Sequence, residues 1–205
     1  STDVIYGSQC PTYFVKWAEV DFLRAEGALR GWNMGGTAQE FYERGIRNAY
    51  LEDPLIGAAQ YTELVDAYME QEVPVDYIQV DPLRDGPDWP SVTKIGVKWN
   101  EADDNETKLE KIITQKYIAG FPEGQEAWSE FRRTGYPKII PYAVNQSGGR
   151  IDTQRQIRRL NWPSSEYRTN AANVNAAIST LNAESSLGSG DNGGTRLWWD
   201  KNTRF

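Results

Sequence analysis

Histidine is absent from all 205 residues, and cysteine occurs once, at Cys10. The first absence removes Ser-His-Asp and Cys-His nucleophile systems and the usual histidine-bearing zinc sites, and the second removes a thiolate cage and an internal disulfide. Long apolar runs are missing as well: mean hydropathy is -0.66, and no stretch approaches the roughly 20 apolar residues that span a bilayer. The opening STDVIYGSQCPT has neither the basic start nor the apolar core of a signal peptide, so any targeting segment is expected upstream or not at all. Basic residues are the minority, 22 against 29 acidic, and the only short basic run lies at Arg155 to Arg159. That sign disfavours phosphate binding, and nucleic acid is not expected as a partner.

What the chain does have is aromatic surface, with 8 Trp and 11 Tyr. Several of these rings lie in stretches rich in Gly, Pro, Asp and Asn, where a flat ring can serve as a platform for a sugar. The apolar fraction of 39% is enough for a real core. Of the common hydrolytic designs, paired carboxylates and Ser-Lys chemistry remain open.

Helical periodicity dominates the first third. From Tyr13 to about Arg30, Phe14, Trp17, Val20 (with Ala18), Leu23, Ala25 and Ala28 recur at helical spacing and predict one buried face. Gly31 to Gly36 breaks the pattern. Thr37 with Glu40 three residues on has the form of a capping box, and Ala38 to Tyr50 resumes the spacing through Phe41, Tyr42, Gly45, Ile46 and Ala49. The Ala38, Tyr42, Gly45 spacing is that of the second helix of a tetratricopeptide unit, in which small residues let paired helices approach closely. No second good copy follows, and one such unit cannot bury its apolar face alone, so neighbours are expected outside the sequence.

A further helix is predicted over Ile56 to Gln71, with Ala59, Leu64, Val65, Tyr68 and Met69 on or near one face. Residues 73–104 hold four prolines and two glycines, and they read as a long structured loop with one short extended piece at Val92 to Val97. Such loops are often functional. Thr107 to Ala119 is predicted helical through Leu109, Ile112, Ile113, Tyr117 and Ile118, capped by Asn105 or Asp104. A short helix over Gln125 to Arg133 carries Trp128 and Phe131, and Gly135 with Pro137 stops it. After a stretch that is mostly loop, a last helix is expected at Asn170 to Leu181, with Val174, Ala177, Ile178 and Leu181 spaced for burial.

Four segments carry a family resemblance: AEVDFLRAEGALRGW (Ala18 to Trp32), KLEKIITQKYIAGFPEGQEAWSEFRRTGYPKIIP (Lys108 to Pro141), RRLNWPSSEYRTNAANVNAAI (Arg158 to Ile178) and TRLWWDKN (Thr195 to Asn202). In order and spacing they resemble the C-terminal part of the SusD/RagB family, outer-membrane lipoproteins of Bacteroidetes that capture glycans or peptides. The resemblance implies a mainly α fold over residues 1–205: tetratricopeptide-like hairpins at 13–72, the long loop at 73–104, then helices and an irregular C-terminal part at 105–205. It also implies a non-enzymatic subunit without cofactor or metal that hands an oligosaccharide or peptide to a SusC-like TonB-dependent transporter. Localisation would be the outer cell surface, through a lipidated N-terminal cysteine that this chain does not contain. Cys10 lacks the context of that residue. The resemblance begins in the middle of the family fold, which implies an amino-terminal half upstream or on another chain.

No ligand residue transfers from a motif, so the candidates rest on position and ring chemistry. Trp89, between Asp88 and Pro90 in the long loop, is not required by any periodic core, and Tyr77 lies in the same loop. Asp76 and Arg84 would add polar contacts, as would Asp81 and Asp85. Trp128 reads more simply as a core ring, with Arg132 and Arg133 paired to carboxylates such as Glu126 or Glu130, and Trp198 and Trp199 read as anchors of the chain end. Two acidic clusters, Asp81/Asp85/Asp88 and Glu101/Asp103/Asp104/Glu106, admit calcium by composition, but a solvated loop and a charged helix start explain them more simply. Two other functions compete with nutrient capture: a helical protein-interaction scaffold and a carboxylate glycosidase.

Overall fold

The computed structural model describes residues 13–52, 58–76, 90–142, 144–184, 188 and 190–201. Among them lie seven helices and no strand: α1 Trp17–Leu29, α2 Ala38–Glu52, α3 Ala58–Met69, α4 Asn105–Ala119, α5 Gly124–Thr134, α6 Ser164–Thr169 and α7 Ala171–Ala183. The mainly helical, hairpin-bearing fold expected from the sequence is the one found. Cys10 lies outside the described residues. The expected extended piece at Val92 to Val97 is irregular chain, and the short α6 falls where loop was expected. The chain divides into two compact units, residues 1–130 with 136–139, and residues 131–135 with 140–205.

The first unit is built on the α1–α2 hairpin. α1 ends where the sequence breaks: Gly31, at φ 81°, gives its N–H to the Ala28 carbonyl (2.9 Å), and the Trp32 N–H reaches Gly27 (2.9 Å), a Schellman closure that needs a residue tolerant of positive φ. α2 then begins with the expected capping box. The Glu40 N–H donates to Thr37 Oγ1 (3.1 Å) and the Thr37 N–H to Glu40 Oε2 (2.7 Å), and this backbone hydrogen bond from Thr37 holds the Glu40 carboxyl below its usual range. α1 has no side-chain cap of its own; the end of α2 supplies it, with Glu52 Oε1 accepting from the Trp17 N–H at 2.7 Å.

Close approach of the two helices depends on Gly45. A Cβ there would meet the Phe22 ring at 2.8 Å, which is why the small position predicted from the tetratricopeptide spacing is small. Phe22 packs edge-on against Tyr42 (6.3 Å between centroids), and Tyr42 tilts against Trp99 at 5.1 Å. α4 packs across both helices and α3 against α2, closing a core of Ala18, Phe22, Ala25, Phe41, Tyr42, Ile46, Val65, Leu109, Ile112 and Ile113 with Val97, Trp99 and Tyr136. Asp21 is buried in this unit but satisfied, accepting from Arg44 Nε (2.9 Å) and Asn48 Nδ2 (2.7 Å), as a buried carboxylate must be.

The expected buried face of α1 needs correcting. Helix begins only at Trp17, and the buried stripe is Ala18, Phe22 and Ala25, flanked by Asp21, Glu26 and Gly27. Phe14, Trp17, Val20 and Leu23 are exposed. Both sides of α1 are apolar, so periodicity alone could not choose between them. Leu64, Tyr117 and Ile118 are likewise exposed, contrary to expectation.

In the second unit, little is held by apolar contact. Phe131 and Val174 are its buried hydrophobic residues among those described, beside buried Arg132, Thr134, Arg158, Arg159, Thr195 and Asp200. Of the four residues expected to be buried on α7, Val174 is buried and Ala177, Ile178 and Leu181 are half-buried.

Candidate functional site

The loop singled out in the sequence is closed at its base. Asp76 is exposed, and its Oδ1 accepts from the Ser91 N–H at 2.6 Å, so one carboxylate oxygen of this predicted ligand residue joins the two ends of the loop. Tyr77, Arg84 and Trp89, together with Asp81, Asp85 and Asp88, lie outside the described residues.

Past Ser91 the chain is tied down at each step. Ser91 Oγ donates to the Thr93 carbonyl (3.1 Å), and Thr93 Oγ1 donates to buried Glu110 Oε1 on α4 (2.6 Å), whose Oε2 also accepts from Lys138 (2.9 Å). The Val97 and Lys98 N–H groups share the Gln71 carbonyl beyond the end of α3 (2.8 and 2.9 Å), and the Val97 carbonyl accepts from the Tyr42 hydroxyl (2.6 Å). Burial pushes the Tyr42 phenol well above its ordinary value, which keeps it a donor. The second half of the predicted loop, residues 90–104, is thus a packed brace. Val97 and Trp99 belong to the core; sequence reasoning missed them because no period marks two apolar residues inside irregular chain.

Every acid in the second cluster has a partner. Glu101 Oε2 accepts from Trp99 Nε1 (2.6 Å) and pairs with Lys108 (3.1 Å). Asp103 Oδ2 accepts from Lys111 (2.6 Å), Asp104 Oδ1 caps α4 at the Thr107 N–H (2.7 Å), and Glu106 Oε1 accepts from the Tyr136 hydroxyl (2.5 Å). Among the described residues, no group of three or more metal-ligating side chains is found. The cluster starts a helix and fastens the brace to it.

One cleft opens in the first unit, where Phe14 and Val15 face Tyr117, Gly120 and Ala127. Its volume is about 30 Å3. At its floor, buried Lys116 donates to Glu126 Oε1 (2.8 Å) and Glu130 Oε1 (3.1 Å). Burial would lower this ammonium, but Glu126 and Glu130 outweigh it and hold the lysine above its ordinary value. Glu126 and Glu130 thus form an ion-paired group with Lys116. On the cleft's rim, Lys16 Nζ donates to the carbonyls of Ala119 (3.1 Å) and Phe121 (2.6 Å), completing the end of α4.

In the second unit the basic run Arg155 to Arg159 proves structural. Arg158 holds Asp200 through two parallel bonds, Nε to Oδ2 and Nη2 to Oδ1, both 2.7 Å. It also donates to the carbonyls of Arg132 (2.8 Å) and Arg155 (3.0 Å). Arg159 pairs with Asp191 (2.5 Å) and lies 4.2 Å from the centroid of Trp162. Asp191 further accepts from the Tyr167 hydroxyl (2.7 Å). Burial would raise this carboxyl, but those donors hold it below its usual range. Arg132 donates to the Arg158 carbonyl (3.0 Å) and sits over Trp199 at 4.9 Å. Trp128 is half-buried. Of the terminal pair, Trp199 is the anchor and Trp198 is 76% exposed.

The first unit is a helical hairpin braced by an irregular segment with a closed loop base, and no helix among the described residues is long and apolar enough to cross a membrane. Comparison with known proteins is specific: the profile of the SusD-like family, the SusD and RagB outer membrane lipoproteins, matches residues 2–200. The chain belongs to the SusD/RagB family. Similar solved structures include a chitin-binding SusD homologue from Flavobacterium johnsoniae (49% identity, TM-score 0.74, over 90% of this chain and 36% of that one). SusD homologues from Bacteroides thetaiotaomicron (46%, TM-score 0.76, 90% and 37%) and Bacteroides uniformis (42%, TM-score 0.79, 95% and 38%) also match. The chain therefore spans less than two fifths of the length of these structures. No curated protein matches it significantly.

Proposed function

We propose that this chain is part of a cell-surface subunit that captures a glycan, without chemistry, and passes it to a SusC-like TonB-dependent transporter. Family membership over residues 2–200 carries the reading, and the 49% identical relative described as chitin-binding favours a glycan over a peptide. The site we assign is the loop closed by the Asp76 to Ser91 bond, with Trp89 and Tyr77 as stacking platforms and Arg84 as a polar arm. Asp76 holds the loop base and so acts as a positioning residue. Affinity would be modest, since stacking contributes about 1 kcal/mol per ring beyond area burial and the ligand must be released. Attachment to the outer membrane would be through a lipidated cysteine outside this sequence.

The test is glycan-array binding followed by calorimetry with chito-oligosaccharides, using the polypeptide that carries the family's full length beside the 205-residue chain. Trp89→Ala is expected to abolish array binding while leaving the far-UV circular dichroism unchanged. Binding that survives this substitution would remove the loop from the site. Turnover of the oligosaccharide during the titration would overturn the non-enzymatic reading.

A further inference from the structure

The formal charge of -7 conceals two unlike parts. Residues of the second unit include 10 Lys and Arg against 5 Asp and Glu, whereas those of the first include 12 against 24. Two of the second unit's acids, Asp191 and Asp200, have buried side chains and are neutralised by Arg159 and Arg158. The outer surface of this unit is therefore basic. The Arg158–Asp200 pair also clasps two turns, residues 155–160 and 196–201, with Arg158 donating to the Arg155 carbonyl (3.0 Å) and the Asp200 N–H to that of Leu197 (2.9 Å). Arg158 and Arg159 turn inward, and the residues on either side of them, Ile157 and Leu160, are 45% and 73% exposed. On the other turn Trp199 lies against Arg132, and Trp198 is left outside. Arg155 and Lys201 stand exposed at the ends of the two turns, while the neighbouring acid Asp152 is turned to the Gln154 and Arg155 N–H groups (both 2.8 Å).

We propose that this face is a peripheral membrane contact, resting on the phosphate-bearing surface of the outer membrane. Three observations choose that partner. Exposed Trp, Leu and Ile together suit the boundary between headgroups and acyl chains. The flanking cations donate hydrogen bonds and cannot accept them, which fits phosphate. A hydroxyl-rich sugar would need acceptors as well as donors, and the two aliphatic side chains offer it no platform. The family is one of outer membrane lipoproteins, so such a surface is at hand. A lipid at a chain end tethers a protein without fixing which face looks at the membrane. Attraction of the basic unit and repulsion of the acidic one would fix it. The inference rests on family membership and is independent of the glycan reading.

The test uses the polypeptide that carries the family's full length, prepared without its lipid, and vesicles of phosphatidylcholine with about one quarter phosphatidylglycerol. Cosedimentation with these vesicles is expected at about 0.02 M salt, falling away at about 0.5 M, and none is expected with phosphatidylcholine alone. Arg155→Gln with Lys201→Gln should weaken it about 25-fold, some 5-fold per charge, with circular dichroism unchanged. Arg47→Gln in the first unit should leave it as it was. With Cys10→Ser and Leu160→Cys, a polarity-sensitive dye on the new thiol should shift to the blue on binding. Failure of the unaltered protein to cosediment would overturn the proposal. So would cosedimentation that the paired substitution leaves within about 2-fold, or a dye that stays in water. Capture of the protein by polygalacturonate but not by vesicles would assign the face to an acidic glycan and overturn it equally.

Discussion

The two units of this chain are held together by different physics. In the first, a continuous apolar core runs from Ala18 and Phe22 through Tyr42 and Trp99 to Ile113, and the buried charges on α1 and α4 are tied to partners around it. In the second, Phe131 and Val174 are the buried hydrophobic side chains among the described residues, set amid buried charged and polar ones, and the bidentate Arg158–Asp200 pair takes the place of a core. Apolar packing tolerates small errors of position at modest cost, whereas a buried ion pair is stable only when complete, because either charge left alone keeps its full desolvation penalty. The second unit should therefore be the more brittle to single substitutions and the first the more tolerant.

That contrast can be broken most directly at Asp200. Asp200→Ala should cost about 3–5 kcal/mol by stranding Arg158, read as lost amide-exchange protection confined to residues of the second unit. Replacing both partners, Arg158→Met with Asp200→Leu, should recover most of the loss. If the double variant is as unstable as the single one, the pair is not what limits that unit. Phe22→Ala is its counterpart in the first unit, with an expected cost of about 3–4 kcal/mol from lost burial and the cavity left behind, seen as a lower urea midpoint for that unit. Gly45→Ala should cost less, about 1–3 kcal/mol from overpacking against Phe22, and Phe22→Leu should relieve it in part. Thr37→Ala, which removes one half of the capping box, should cost about 1 kcal/mol and fray the start of α2.

Acid should also separate the units. Asp191 is held below its usual range by Tyr167 and Arg159, so its contribution is fully present above the ordinary carboxylate value of about 3.9 and is lost as pH falls through its lowered folded value. Exchange protection around Trp162 and Tyr167 should decline on acidification below about pH 4, and Tyr167→Phe should move that decline to higher pH.

Much of the helical scaffold was legible from local chemistry. Thr37 with Glu40, Asp104 ahead of α4, the glycines after α1 and the small position at Gly45 each act within a few residues or through a repeated spacing, and the structure uses them as the sequence suggested. The site was legible only as a region. Asp76 could be picked out for its position but not for its task, because the Ser91 N–H that it receives lies fifteen residues away.

The sequence by itself determined the caps and breaks at Thr37, Asp104 and Gly31 and which family the chain resembles, because caps, breaks and motif spacing are properties of neighbouring residues. Tertiary structure alone decided which apolar face of α1 is buried, that Val97 and Trp99 leave an irregular segment to enter the core, and that Arg158 turns inward to Asp200 rather than outward to solvent. Each of those choices is made by a partner distant in the chain, and burial is settled by whichever surface that partner supplies.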